Sequence, residues 1–163
     1  MRKKADNSLT DDSQEEEASR FTALCNKAED AALKLIARAE QNSFGLTAKL
    51  EKKGYTRDVI EEVVSGLKNR GLLDDERYAV LWLRSRLRKK AQSPKMLTIS
   101  LRKKGIDRRS SQKALVKVLD PDAEYALLTR YMEKQAGDET LSREKLKYEG
   151  FSMEVLEKYY ENL

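Results

Sequence analysis

Apolar residues recur at spacings of three and four along most of the chain, as in Leu33, Ile36, Ala37 and in Val59, Ile60, Val63, Val64, Leu67. That is the period of an amphipathic helix, and nowhere does apolar–polar alternation persist long enough to predict a strand. The pattern predicts helices over 26–41, 43–53, 56–70, 74–91, 94–104, 107–119, 122–136, 141–149 and 152–162. Gly54, Gly71, Gly105, Gly137 and Gly150 each follow an amphipathic stretch, where a helix end needs a residue tolerant of the left-handed conformation. Both prolines follow a capping residue, in Ser93-Pro94 and Asp120-Pro121, the arrangement expected at a helix start. The predicted fold class is all-α.

The helical pattern repeats. Leu50-Glu51-Lys52-Lys53-Gly54-Tyr55-Thr56 matches Leu101-Arg102-Lys103-Lys104-Gly105-Ile106-Asp107, and again Leu146-Lys147-Tyr148-Glu149-Gly150-Phe151-Ser152. Each copy has Leu four places before Gly, an apolar residue after it, and then a capping type. The next helices also align, through Val63, Val64, Leu67, then Ala114, Leu115, Val118, then Tyr159, Tyr160, Leu163. In this reading Gly ends one helix, the next side chain plugs a small core, and the capping residue opens the following helix. A spacing of 45 to 51 residues between glycines suits one three-helix unit per repeat. The sequence therefore predicts an elongated tandem array of three three-helix repeats, over 26–72, 73–119 and 120–163. Cores this thin need support from their neighbours.

Residues 1–25 differ in character. Asp6, Asp11, Asp12 and Glu15-Glu16-Glu17 lie among Ser, Thr, Asn and Gln, a composition that predicts a disordered acidic and polar leader. Phe21 and Leu24 are available to dock it onto the first helix.

Composition removes several kinds of chemistry. The 163 residues include no His and a single cysteine, Cys25. Without His the commonest general base and zinc ligand are missing, and one thiol makes neither a disulfide framework nor a CxxC site. The longest uncharged apolar run, Tyr78 to Leu83, is far below a membrane span, and the N-terminal stretch has no secretory h-region. No Walker loop or dinucleotide fingerprint is present. Asp74-Asp75-Glu76 is the densest carboxylate cluster, but consecutive helical residues do not converge on one cation. Asp74 and Asp75 read instead as a helix cap with acids in the first turn. Trp82, Tyr55, Tyr78 and Phe151 read as core or turn plugs. The picture is of a cytoplasmic monomer with no catalysis, cofactor or metal.

Net charge is +5, and its distribution carries more than its sum. Residues 1–25 carry −2, 26–83 are neutral, 84–113 carry +11 and 114–163 carry −4. The basic block is spread over three helices. Arg84, Arg88, Lys89 and Lys90 fall on the first, Arg102, Lys103 and Lys104 end the second, and Arg108 and Arg109 open the third. Cations favour helix C-termini, which accounts for Lys89-Lys90 and Lys103-Lys104, but Arg108 and Arg109 occupy a first turn where they oppose the dipole. These nine are the candidate contact set for an anionic partner, either nucleic-acid phosphate or an acidic protein groove.

Gly71-Leu72-Leu73-Asp74-Asp75-Glu76-Arg77-Tyr78-Ala79 and the recurring Leu-x-x-Lys-Gly resemble the RecX family, regulators of the bacterial RecA recombinase. Ala32-Leu33-Lys34-Leu35-Ile36-Ala37-Arg38-Ala39-Glu40 is similar to that family as well. The resemblance covers residues 28 to about 119 well and the third repeat more loosely. It implies an elongated row of three-helix repeats that binds the RecA–DNA filament, restrains it, and so acts in recombination, DNA repair and the SOS response. The chain departs from the family pattern at Lys90-Ala91-Gln92-Ser93-Pro94, where a glycine is usual. It departs again at Ser142, which matches Leu46 and Leu97, at Glu149 in place of lysine, and in its leader. The expected partners are the RecA nucleoprotein filament and single- or double-stranded DNA, with no membrane. An autonomous DNA-binding module of helix-turn-helix-like repeats is the alternative.

Overall fold

The computed structural model describes residues 8–135 and 141–162, with side chains from Ser13 onward. Among the described residues it is helical without strands: α1 (Ser8–Arg38), α2 (Ser43–Lys52), α3 (Arg57–Asn69), α4 (Asp75–Lys89), α5 (Pro94–Lys103), α6 (Arg108–Val118), α7 (Pro121–Gln135), α8 (Arg143–Tyr148) and α9 (Met153–Glu161). The chain forms two compact units, Met1–Leu73 and Asp74–Leu163. Within the second unit the buried side chains of α4 to α9 form one contiguous core.

One difference is large. In place of a disordered leader, α1 continues back to Ser8 as 31 helical residues. The stretch from Ser8 to Arg38 contains no Gly or Pro to break it, and Glu16 supports Arg20 one turn on at 3.6 Å. Phe21 and Leu24 dock nothing back; they belong to the same helix and stand 40% and 45% exposed. Residues 1–7 lie outside the described residues. At its other end α1 stops three residues before the expected Gln41. There the buried Gln41 side chain turns back, its Nε2 donating to the Ala39 and Leu35 carbonyls at 2.9 and 3.3 Å. That satisfies the Ala39 carbonyl beyond the helix end and adds a second donor to the Leu35 carbonyl, which already accepts the Ala39 N–H.

In unit 1, α1 and α2 pack against α3 around Ala28, Ala32, Leu46, Leu50, Val59, Ile60, Val63, Leu67 and Leu73. In unit 2, Leu83, Leu97, Leu101, Ile106 and Ala114 join Leu128, Leu146, Phe151, Val155 and Leu156 in one buried cluster. Here α4 packs most extensively on α6, and α7 on α9.

The repeated sequence corresponds to one repeated turn. Tyr55, Ile106 and Phe151 each donate a backbone N–H to the carbonyl of Leu50, Leu101 and Leu146, at 3.3, 3.1 and 3.2 Å. The glycine between them donates to Glu51, Arg102 and Lys147 at 2.9, 2.9 and 3.0 Å. This paired pattern is the Schellman helix ending, which requires a left-handed residue at the glycine site. Gly54, Gly105 and Gly150 have φ of +89°, +78° and +92°. Leu101 with Ile106, and Leu146 with Phe151, meet in the core as the hydrophobic pair of the motif. The same geometry recurs at Gly71, where Leu72 donates to Leu67 at 3.0 Å. Gly137 lies outside the described residues.

The capping residues act unequally. Asp107 and Ser152 accept from Ser110 and Val155 backbone N–H groups, at 2.9 and 3.4 Å. Thr56 sits at the N-cap of α3 but makes no side-chain cap bond. Asp74 Oδ1 accepts from the Glu76 and Arg77 N–H groups at 2.9 and 3.0 Å, so the cap is Asp74 alone. Asp75 is the first helical residue rather than a cap.

The departures in the third triplet also have structural reasons. Ser142 caps α8, accepting from Lys145 N–H at 3.2 Å, while its neighbour Leu141 enters the core. Glu149 receives the Ser93 hydroxyl at 2.5 Å on its carboxylate and the Lys95 N–H at 3.0 Å on its carbonyl. This seats the α8 turn against the start of α5, where Ser93 is fully buried. Glu124, nearly buried, accepts the Ser152 N–H at 2.6 Å and its hydroxyl at 2.8 Å, tying α7 to the start of α9.

Two stability predictions follow from these contacts. A Cβ at Gly150 would meet Lys95 N at 3.3 Å and Pro94 Cβ at 3.4 Å, whereas at Gly54 it would meet nothing within 4 Å. Gly54→Ala therefore costs the left-handed strain alone, about 1–2 kcal/mol, and Gly150→Ala costs measurably more in urea unfolding. Equal losses would show that the α8–α5 approach does not constrain Gly150. The second concerns Glu76, whose carboxyl is held below the usual range by its hydrogen bond from Lys117 and then by the charges of Lys117 and Lys113. A depressed carboxyl contributes stability at neutral pH that disappears as pH falls through its folded-state value. Glu76→Gln should flatten the acid limb of the stability–pH profile of unit 2, and an unaltered limb would remove this pair from its stability.

Candidate functional site

The basic block resides in the first three helices of unit 2. Glu76, at the start of α4, bridges Lys113 and Lys117 near the end of α6, with Lys113 Nζ at 3.4 Å. Since α4 and α6 share the unit's most extensive helix packing, this pins them antiparallel. The C-terminal half of α4 then lies beside the N-terminal end of α6. Across the Gly105 turn, the end of α5 joins the same region. Lys104 Nζ stands 5.5 Å from the centroid of the Trp82 ring on α4, and the Arg86 guanidinium 5.8 Å from it. Three helix ends thus bring their cations toward one end of the triplet.

Of the nine residues expected there, Arg84, Arg88, Lys89, Lys90, Arg102, Lys103, Arg108 and Arg109 are exposed, and Lys104 is half-buried at Trp82. None of the eight exposed side chains forms an ion pair among the described residues. Long cations held in solvent without a partner retain their full charge for a ligand.

The acids explain why they are unpaired. The +11 block contains one carboxylate, Asp107. Its Oδ1 caps α6 and its Oδ2 accepts the Ser110 hydroxyl at 2.6 Å. The Ser110 hydroxyl and backbone N–H hold that carboxyl below its ordinary range. It is committed to the helix end and leaves Arg108 and Arg109 open. Glu76 neutralises Lys113 and Lys117 at the other end of the α4–α6 pair. Pairing at one end and its absence at the other make the surface polar along its length.

Other cations of the block have contacts of their own. Lys95 Nζ lies 3.3 Å from the Tyr148 ring centroid, toward α8. Arg86 Nε donates to Gln92 Oε1 at 2.5 Å. Trp82, read from sequence as core, packs on the core with part of its surface exposed and carries two cations at its ring. Sequence reasoning missed the Arg86–Trp82 pairing, although residues four apart on one helix carry that signal. Leu81 also escaped it: 47% exposed, it shares the stripe of Arg77, Arg84 and Arg88 at helical spacing.

Among the described residues no group of three or more His, Cys, Asp or Glu could hold a metal ion, and no helix is long and apolar enough to cross a membrane. Cys25 is partly buried at the α1–α3 side, where burial and then the Glu62 charge raise its thiol pKa. A raised value disfavours the nucleophilic thiolate.

Comparison with known proteins agrees with this architecture. The family model described as "RecX, first three-helix domain" matches residues 28–67, and "RecX, second three-helix domain" matches 74–115. The "Regulatory protein RecX" of Treponema pallidum (strain Nichols) is 34% identical over 114 residues, covering 70% of each chain. That of Mycolicibacterium smegmatis is 35% identical over 120 residues, 74% of this chain and 61% of the relative. A crystal structure of regulatory protein RecX superposes with a TM-score of 0.71 at 19% identity, over 99% of this chain and 81% of the other. The crystal structure of RecX from Lactobacillus salivarius gives 0.64 at 23% identity, over 87% and 97%. With two family domains matched in order on either side of the Asp74 cap, and a relative one-third identical over most of its length, the chain belongs to the RecX family of regulatory proteins.

Proposed function

We propose that this chain is a regulator of the RecA recombinase that binds the RecA–DNA filament through the cationic end of α4–α6 and inhibits it. The observation that carries the reading is the group of eight exposed cations without ion-pair partners among the described residues, placed on a domain of a regulatory family. The DNA of such a filament is a polymer of repeating negative phosphate. Releasing counterions from it favours a clustered cationic face. The three-repeat division of the chain suits such a partner. Contacts spread over successive triplets add through effective concentration, so an array grips a filament far better than a lone subunit.

Inhibition follows physically if the array bridges neighbouring subunits. ATP turnover and strand exchange require those subunits to rearrange, and a bound bridge stabilises the arrangement it fits. Occupation of a growing end would block extension by simple exclusion. No covalent step is involved, so the protein acts by binding alone.

Arg84→Glu/Arg88→Glu tests the reading. Both residues are exposed, and no described residue is ion-paired to them, so the variant should fold as the parent does. Inhibition of RecA ATPase on single-stranded DNA should weaken by roughly tenfold or more in the concentration required, because two attractive charges become repulsive. Unchanged inhibition would take those two residues out of the mechanism. Tight, sequence-selective duplex binding without RecA would instead favour the autonomous DNA-binding module.

A further inference from the structure

Unit 1 is electrically neutral in sequence yet not in space. Lys27, Lys34 and Arg38 lie seven and four residues apart, on one face of α1. At 1.5 Å rise per residue they form a row with intervals of about 10 and 6 Å. They line a cleft of about 410 Å³ together with Lys53, from the end of α2, and Tyr55, from the turn before α3. One acid, Asp30, shares the cleft with these four cations. Two arginines elsewhere in the unit have acidic partners: Arg70 pairs with Glu29 at 2.8 Å and Arg57 with Glu61 at 2.7 Å. The four cleft cations are exposed and have no ion-pair partner among the described residues.

Tyr55 gives the cleft its second feature. Its hydroxyl donates to the Lys27 carbonyl at 3.1 Å, fixing the half-buried ring against α1 at the Lys27 end of the cleft. A linear rank of cations beside an immobilised aromatic edge is how proteins hold nucleic acid that is not base-paired: phosphates follow the cations, and an unstacked base lies on the ring. A duplex keeps its bases stacked within the helix and offers the ring nothing.

We propose that the cleft between α1 and the Gly54 turn of unit 1 binds the phosphate backbone of a short single-stranded polynucleotide segment. It is a site separate from the cationic end of α4–α6 and does not require RecA. Lys34 and Arg38 take adjacent phosphates, Lys53 approaches from the end of α2, and Tyr55 receives a base.

The test uses the full chain, a fluorescent oligodeoxythymidine and a duplex of equal length, in the absence of RecA. The variant Lys34→Gln/Arg38→Gln is compared with the parent across a salt series. It is also compared in an Arg84→Gln/Arg88→Gln background, so that each cationic surface is scored separately. Losing two phosphate contacts from a single strand lowers the slope of log K against log salt by about 1.4. That decrease, seen in both backgrounds on oligodeoxythymidine and absent on duplex, is the expected result. An unchanged slope overturns the proposal even if Arg84→Gln/Arg88→Gln alone reduces binding, an outcome that leaves the α4–α6 reading intact. A decrease confined to duplex overturns it too. If only Lys34→Gln/Arg38→Gln changes the slope, the cleft stands and the role of α4–α6 in DNA contact falls.

Discussion

A helix that must stop and hand over to another within two residues needs one position with positive φ. In this chain glycine supplies it at 54, 105 and 150, with Leu four residues before and an apolar side chain directly after. The backbone bonds of the Schellman ending and the leucine–plug contact are made by the same few residues, so turn and core form together or not at all. Small helical units have little interior to spare. Leu101, Ile106, Leu146 and Phe151 each retain 3% or less of their accessible surface, and the turn is therefore part of the core rather than a connection outside it. Gly150 adds a tertiary requirement, because its bare backbone lies against Pro94 and Lys95.

The same turns set the electrostatics. Bringing the end of α5 back into the start of α6 gathers Arg102, Lys103, Arg108 and Arg109 around one reversal. Antiparallel packing of α4 on α6 then adds Arg84 and Arg88 from the neighbouring helix. Charge of one sign so concentrated opposes folding, and the structure tolerates it because the long side chains reach solvent. The acids that could have neutralised it are spent on local tasks: Asp107 caps α6, and Glu76 holds Lys113 and Lys117 at the far end. Membership of the RecX family gives this surface its context.

Much of this was legible in the chain. Helix positions followed from apolar spacing, and helix ends from glycine, proline and capping residues, because these are local rules read from one to seven residues. The Leu–Gly–plug repeat pointed directly to the turn geometry, and the same letters at Leu67, Gly71 and Leu72 marked a fourth instance that the repeat comparison passed over. What local rules missed had non-local or cumulative causes. The acidic stretch before Phe21 looks unfoldable by composition, yet from Ser8 onward it lacks any helix breaker and continues the helix of residues 26–38. The second and third triplets meet through the Ser93–Glu149 contact across 56 residues, and the third is tied within itself by Glu124–Ser152 across 28, which no periodicity encodes. The cleft of unit 1 escaped for a different reason: a neutral charge sum conceals segregation, and Lys53 joins the α1 row only once the Gly54 turn is folded.

Regulation as proposed above rests on clustered cations, without ion-pair partners among the described residues, meeting a negatively charged polymer. Its most direct test is RecA ATPase on single-stranded DNA titrated with the unmodified protein at low and high salt. The expected result is inhibition whose half-effective concentration rises steeply with salt, as counterion release requires. Inhibition of equal potency at both salt concentrations would contradict it.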